Sequence, residues 1–280
     1  MGHRGVDSLP DQGIATFAID DRVVRVRTPS AATAAAMARL LPAYAVDSAT
    51  HGNDAVHCLD FLNDSWLVTE PGGERAQFPT LIDAYGALEY LVTCALLGTV
   101  AEYVHLHAAG TATDHGAVLA LGASGAGKSS LALHWSMAGR SVFGDDIVLL
   151  CEDGLAHPFR RLFDVHGDRL DEYEHAVGPE LAEFASDGEA WFDPAIQSGW
   201  AAPARVARVA VVRFESGASL SMKPMSRPNM LVALSASTMP TGLGTSRAFD
   251  RFLIMCREAE TLEVVFGNSR QAAEALSSFS

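Results

Sequence analysis

The stretch Ala117-Val118-Leu119-Ala120-Leu121-Gly122-Ala123-Ser124-Gly125-Ala126-Gly127-Lys128-Ser129-Ser130 decides the reading of this 280-residue chain. Residues 122–129 fit G-x-x-x-x-G-K-[ST], a P-loop whose backbone amides cradle phosphate. Gly122, Gly125 and Gly127 open conformations closed to other residues and let the backbone approach an anion closely. The turn through Ala123, Ser124 and Ala126 to Ser130 aims several N–H groups, and the N-terminus of the following helix, at a phosphate. Lys128 reaches for the β/γ-phosphates and the Ser129 hydroxyl for Mg²⁺. Only two of the 20 basic residues are lysines, so a lysine at this position is not filler. The apolar run 117–121, bounded by Gly116 and Gly122, reads as a buried strand, and 130–138 reads as a helix stopped by Gly139. A glycine-rich turn with an incidental lysine is the bland alternative, and the order strand, loop, helix tells against it. The prediction is an α/β fold that binds a nucleoside triphosphate with Mg²⁺.

Length and composition set the outer limits. A chain of this size makes one large domain or about two ordinary ones. The net charge of −14 disfavours nucleic acid and anionic membranes, both of which need a basic surface. Residues 1–7 lack the apolar core of a signal peptide, and the most apolar stretch, 90–101, is read as too short to span a bilayer between Glu89 and Glu102. Cys58, Cys94, Cys151 and Cys256 are scattered without a C-x-x-C pair, which fits reduced thiols and a cytoplasmic protein.

Along the chain, residues 1–100 read as an N-terminal α+β module and 101–280 as the nucleotide-binding, catalytic domain. In the module, 14–19 and 22–27 make a hairpin about Asp20-Asp21, 55–62 and 66–69 a second strand pair, and 33–41 and 83–100 helices. In the larger domain, strands are expected at 103–107, 117–121, 141–143 and 147–151. Beyond it, 206–214 reads as a strong strand, with 219–222 as its hairpin partner across Ser216-Gly217. A strand at 262–266 and helices at 228–234, 246–257 and 269–278 complete the chain. Between Gly167 and Asp193 carboxylates crowd the sequence, as a solvated surface segment or as a lid over the acceptor side.

A second chemical feature is Gly144-Asp145-Asp146, 17 residues beyond Lys128, at the start of the apolar run 147–150. Neighbouring strand residues point to opposite sides, so one carboxylate can face Mg²⁺ while the other addresses a different atom. A phosphotransferase needs a metal-side carboxylate and a base for the acceptor hydroxyl. The reading places Asp145 with the metal and Asp146 on the hydroxyl, with strand twist able to reverse the two. His107, 21 residues before Lys128, can donate to phosphate or steer the acceptor proton. His105 shares its strand face, and sequence alone barely separates them.

The set His107-Ala108, Gly122 to Ser130, and Gly139-Arg140 leading to Gly144-Asp145-Asp146 resembles the HPr serine kinase/phosphorylase family. It resembles more closely the HPr-kinase-like proteins of bacterial peptide-modification clusters. The resemblance covers about 103–151 well and the remainder as a general strand–helix pattern. It implies a P-loop mixed-sheet kinase core similar to phosphoenolpyruvate carboxykinase. It also implies transfer of the γ-phosphoryl of ATP to a serine or threonine hydroxyl of a protein or peptide. The chain departs from the bifunctional enzymes at 157–164, where their Arg-Gly segment is missing, and in the N-terminal module. The first departure tells against HPr as acceptor and against the reverse reaction. The N-terminal module resembles the leading region of the cluster-associated relatives rather than the sensor domain of the bifunctional enzymes. Arg160 or Arg161 is still suited to reach a phosphate. A kinase of a small hydroxyl compound such as free serine, and a non-catalytic nucleotide-binding regulator, stay open, as does a homo-oligomeric state.

Overall fold

A computed structural model of the chain describes residues 12–19, 22–46, 56–166, 189–240, 243 and 245–279. The leading residues 1–7, the Asp20-Asp21 turn and most of the acidic stretch, 167–188, lie outside the described residues. The chain divides into two compact units, Met1–Thr99 and Val100–Ser280.

The first unit carries a five-stranded sheet in the order β1 (Gly13–Ile19), β2 (Arg22–Thr28), β3 (Val56–Leu62), β4 (Ser65–Thr69), β5 (Arg75–Phe78). All pairings are antiparallel except β2 with β3. Helix α1 (Ala31–Leu40) lies between those two strands in the chain, as a parallel connection requires. The Ser30 hydroxyl caps α1 by accepting from the Thr33 amide at 3.1 Å. Asn63 and Asp64, both at positive φ, make the two-residue turn between β3 and β4. Helix α2 (Leu81–Thr99) buries Leu88, Val92, Leu96 and Leu97 and packs on the sheet. It starts earlier than the apolar run suggests. The helix spans 81–99 rather than the apolar stretch 90–101 alone, and among the described residues it is the one helix long and apolar enough, by length and composition, to cross a membrane.

The second unit is built on an eight-stranded mixed sheet. Its main path runs β10 (Leu155–Pro158), β9 (Ile147–Leu150), β6 (Val104–Thr113), β7 (Gly116–Leu121), β13 (Ala204–Phe214), β15 (Glu260–Phe266), β14 (Ser221–Pro224). Strand β8 (Val142–Gly144) pairs with β6 off this path, and β11 (Phe163–His166) pairs with β12 (Glu189–Phe192) in a separate ribbon. Strand β7 alternates its apolar residues between two cores. Val118 and Ala120 pack with α3 (Lys128–Met137) and α7 (Ser269–Ser277). Ala117, Leu119 and Leu121 pack with α5 (Arg227–Ala236) and α6 (Thr245–Glu258). Burial on both faces is why 117–121 reads as an uninterrupted apolar run rather than an alternating one. A short helix, α4 (Pro194–Gln197), precedes β13 and is capped by Asp193.

Three readings of this unit change. Strand β6 continues to Thr113, so that its first half pairs with β9 and its second half with β7 and β8. Strand β14 is not the hairpin partner of β13. Both edges of β13 are already bonded in parallel, to β7 and β15, so β14 joins the far edge of β15. Strands β10, β11 and β12 have no counterpart in the pattern reading, nor has β5 in the first unit.

Candidate functional site

The glycine loop leaves the end of β7 at Leu121 and runs directly into α3, whose first residue is Lys128. Gly127 is the residue before the helix, at φ +93, and an added Cβ would come 2.8 Å from the Phe266 ring. Both the left-handed backbone and the close aromatic wall demand glycine there. No side chain caps α3, so its positive end is left open to an anionic group. Lys128 is buried, and its ammonium donates to the carbonyls of Gly122 at 2.9 Å and Ala123 at 3.2 Å. Burial lowers its pKa, while Asp146 and Asp145 push it back up.

The two carboxylates sit in a bend between β8 and β9 rather than within a strand. Gly144, at φ +152, turns the chain so tightly that a Cβ would meet the Ile147 carbonyl at 2.5 Å. The β6–β8 register slips at the same place. As a result, Asp145 and Asp146 both line one cavity instead of facing opposite sides of a sheet, which corrects the alternation argument. They differ in depth. Asp145 is 3% exposed and accepts from the Ser129 hydroxyl. Burial raises its pKa from 3.8 to about 7, and Asp146 and Asp164 add to the rise, while Arg161 and the Ser129 hydrogen bond oppose it. Asp146 is half-exposed and its backbone carbonyl accepts from the Ala108 amide of β6.

His107 and His105 are separated by the fold. His105 is fully buried, with Nε2 3.0 Å from the Val100 carbonyl. His107 reaches the cavity, with Nε2 3.1 Å from Asp146 Oδ1. Burial lowers the His107 pKa, with Asp146 opposing. Arg161, on the loop after β10, places Nη1 3.5 Å from Asp146 Oδ2. The cavity of about 400 Å³ thus gathers His107, Ser124, Gly125, Gly127, Lys128, Ser129, Ser130, Asp145, Asp146 and Arg161. Of the remaining loop residues, Gly122 and Ala123 line an adjoining space, and Ala126 turns into the core beneath α3.

Asp164, Val165 and Leu133 also line the cavity and were not foreseen. Asp164 lies on β11, for which the sequence reading has no strand. Leu133 faces the cavity one turn after Ser129, a position its helical spacing could have shown.

Asp145 and Ser129 supply a hard, adjacent oxygen pair suited to Mg²⁺. Among the described residues no group of three or more His, Cys, Asp or Glu side chains is disposed to hold a metal. An ion here would complete its shell with phosphate oxygens and water, as Mg²⁺ commonly does. No family model and no curated protein matches the chain.

Proposed function

We infer that the protein is an ATP-dependent kinase that transfers the γ-phosphoryl group to a serine or threonine hydroxyl of a protein or peptide, in the cytoplasm. One observation carries this reading. The glycine loop with Lys128 and Ser129 shares a single cavity with two carboxylates of different depth, a histidine and an arginine. The mixed sheet with its strand–loop–helix unit supports the P-loop kinase core, similar to phosphoenolpyruvate carboxykinase, that the sequence resemblance implies.

The depth difference supports a division of labour. Asp145, buried beside Ser129, belongs to the metal side. Mg²⁺ held there would neutralise charge on the transferring phosphoryl group. Asp146, more open and bonded to His107, is the acceptor base. As the acceptor oxygen bonds to the γ-phosphorus, its proton passes to Asp146 and the bond from the γ-phosphorus to the β–γ bridging oxygen breaks. Lys128 and Arg161 offset the charge that leaves with ADP. His107 orients the Asp146 carboxylate.

Calorimetry with Mg–ATP and single-turnover transfer to serine peptides test the assignment together. Lys128→Ala should lower turnover by roughly a hundredfold or more, as removal of one positioned charge does. Asp146→Asn should cut transfer while sparing nucleotide affinity. Unchanged affinity and unchanged transfer in both variants would remove the basis of the reading.

A further inference from the structure

A second cavity, of about 610 Å³, adjoins the charged one and shares His107 and Ser124 with it. Its size falls in the range of roughly 300–1,000 Å³ usual for ligand pockets. It lies on the α5 side of the sheet, where Leu121 and Val211 belong to the face packed against α5 and α6. Ala233, Ala236 and Met239 form the opposite wall. Apart from His107 when protonated, none of its lining residues carries a charge. The wall is fixed to the strand that bears the histidine: the His107 amide donates to the Ser237 carbonyl at 2.7 Å, and the Met239 amide to the His105 carbonyl at 2.9 Å.

The orientation of the loop says which part of a reaction faces this space. The Lys128 ammonium rests on the carbonyls of Gly122 and Ala123, at the start of the loop. Those two residues are also on the rim of the apolar cavity. A lysine of this kind serves the β/γ end of the nucleotide, so that end points to the rim, and the nucleoside leaves in another direction. The Asp146–His107 pair stands at the same boundary.

We propose that the apolar cavity holds the acceptor, which presents its hydroxyl to the Asp146–His107 pair and buries an adjacent aliphatic group against Leu121, Val211, Ala236 and Met239. This rests on the kinase reading and specifies its substrate class: a hydroxyl flanked by apolar, not acidic, residues. An acidic flank would lose its hydration against an uncharged wall without gaining a partner.

The test uses two capped pentapeptides with a central serine, flanked by leucines in one and by aspartates in the other. Calorimetry measures their binding to the full chain, with and without Mg²⁺ and a non-hydrolysable ATP analogue. The leucine peptide should bind at least about tenfold more tightly than the aspartate peptide. Ala236→Trp, bulk added at the exposed end of α5, and Met239→Asp should each weaken it by about tenfold or more. Both variants should leave nucleotide affinity within about twofold of wild type. Loss of nucleotide affinity in these variants with peptide binding unchanged would assign the cavity to the nucleoside and overturn the proposal. Equal binding of the two peptides, or none, would overturn it as well. Failure of wild type to bind the nucleotide strikes the kinase reading instead, and the peptide preference without nucleotide still reports on the cavity.

Discussion

Replacing Asp145 by asparagine should stabilise the nucleotide-free protein while disabling it. In the folded chain the Asp145 carboxyl is held at a pKa of about 7, against 3.8 when free, chiefly by burial. Between those values the native state keeps a proton that the unfolded state has lost, so stability falls as pH rises through that window and levels off above it. The full shift corresponds to about 4 kcal/mol of destabilisation at pH 8, and about 2 kcal/mol of it is already present at pH 5.5. Asparagine keeps the shape and can still accept from the Ser129 hydroxyl, yet never ionises. Urea unfolding of both proteins at the two pH values isolates this group from all others that titrate. The variant should be the more stable at pH 8, with its advantage roughly halved at pH 5.5. Mg–ATP should narrow the gap at pH 8 by stabilising the wild type more than the variant, since a cation held there would pair with the ionised Asp145 carboxylate more strongly than with an amide. Apparent metal affinity of the wild type should accordingly drop about tenfold per pH unit below about 7. A variant less stable than wild type at pH 8, or a gap that ignores pH, would refute the reasoning.

Three further outcomes follow from named contacts. Gly127→Ala forces a Cβ into the Phe266 ring at a left-handed backbone position, and should cost about 2 kcal/mol in urea unfolding together with most nucleotide affinity. Arg208 is buried with its guanidinium on Glu260 and on the carbonyls of Ala275, Leu276 and Ser278, so Arg208→Ala should lose about 3 kcal/mol, read by urea unfolding. His107→Asn removes one of the two partners of Asp146, leaving Arg161, and should lower single-turnover transfer by about tenfold with nucleotide affinity spared; transfer at the wild-type rate would make His107 structural.

Local sequence determined the parts of this protein that depend on local physics. The run 117–121, the glycines at 122, 125 and 127 and the helix beyond Lys128 carry their own instructions in β-propensity, backbone freedom and helix periodicity, and the strand, loop and helix lie where those signals end. Placing Asp145-Asp146 beside the apolar run 147–150 was equally legible. Long-range packing decided the rest. The sequence assigns Asp145 to the metal and Asp146 to the hydroxyl only as far as strand twist allows, and the tight turn at Gly144 is what buries one against Ser129 and leaves the other beside His107. His105 and His107 have the same period-2 phase, and their difference comes from how deep each point of β6 lies in the unit. Arg161, Asp164 and the α5 wall of the apolar cavity come from segments far apart in the chain, brought together by a mixed sheet whose pairing order no local pattern encodes. Strand β14 shows the same limit: its turn signal was real, but the edges of β13 were already taken, and hydrogen-bond saturation in three dimensions chose its partner.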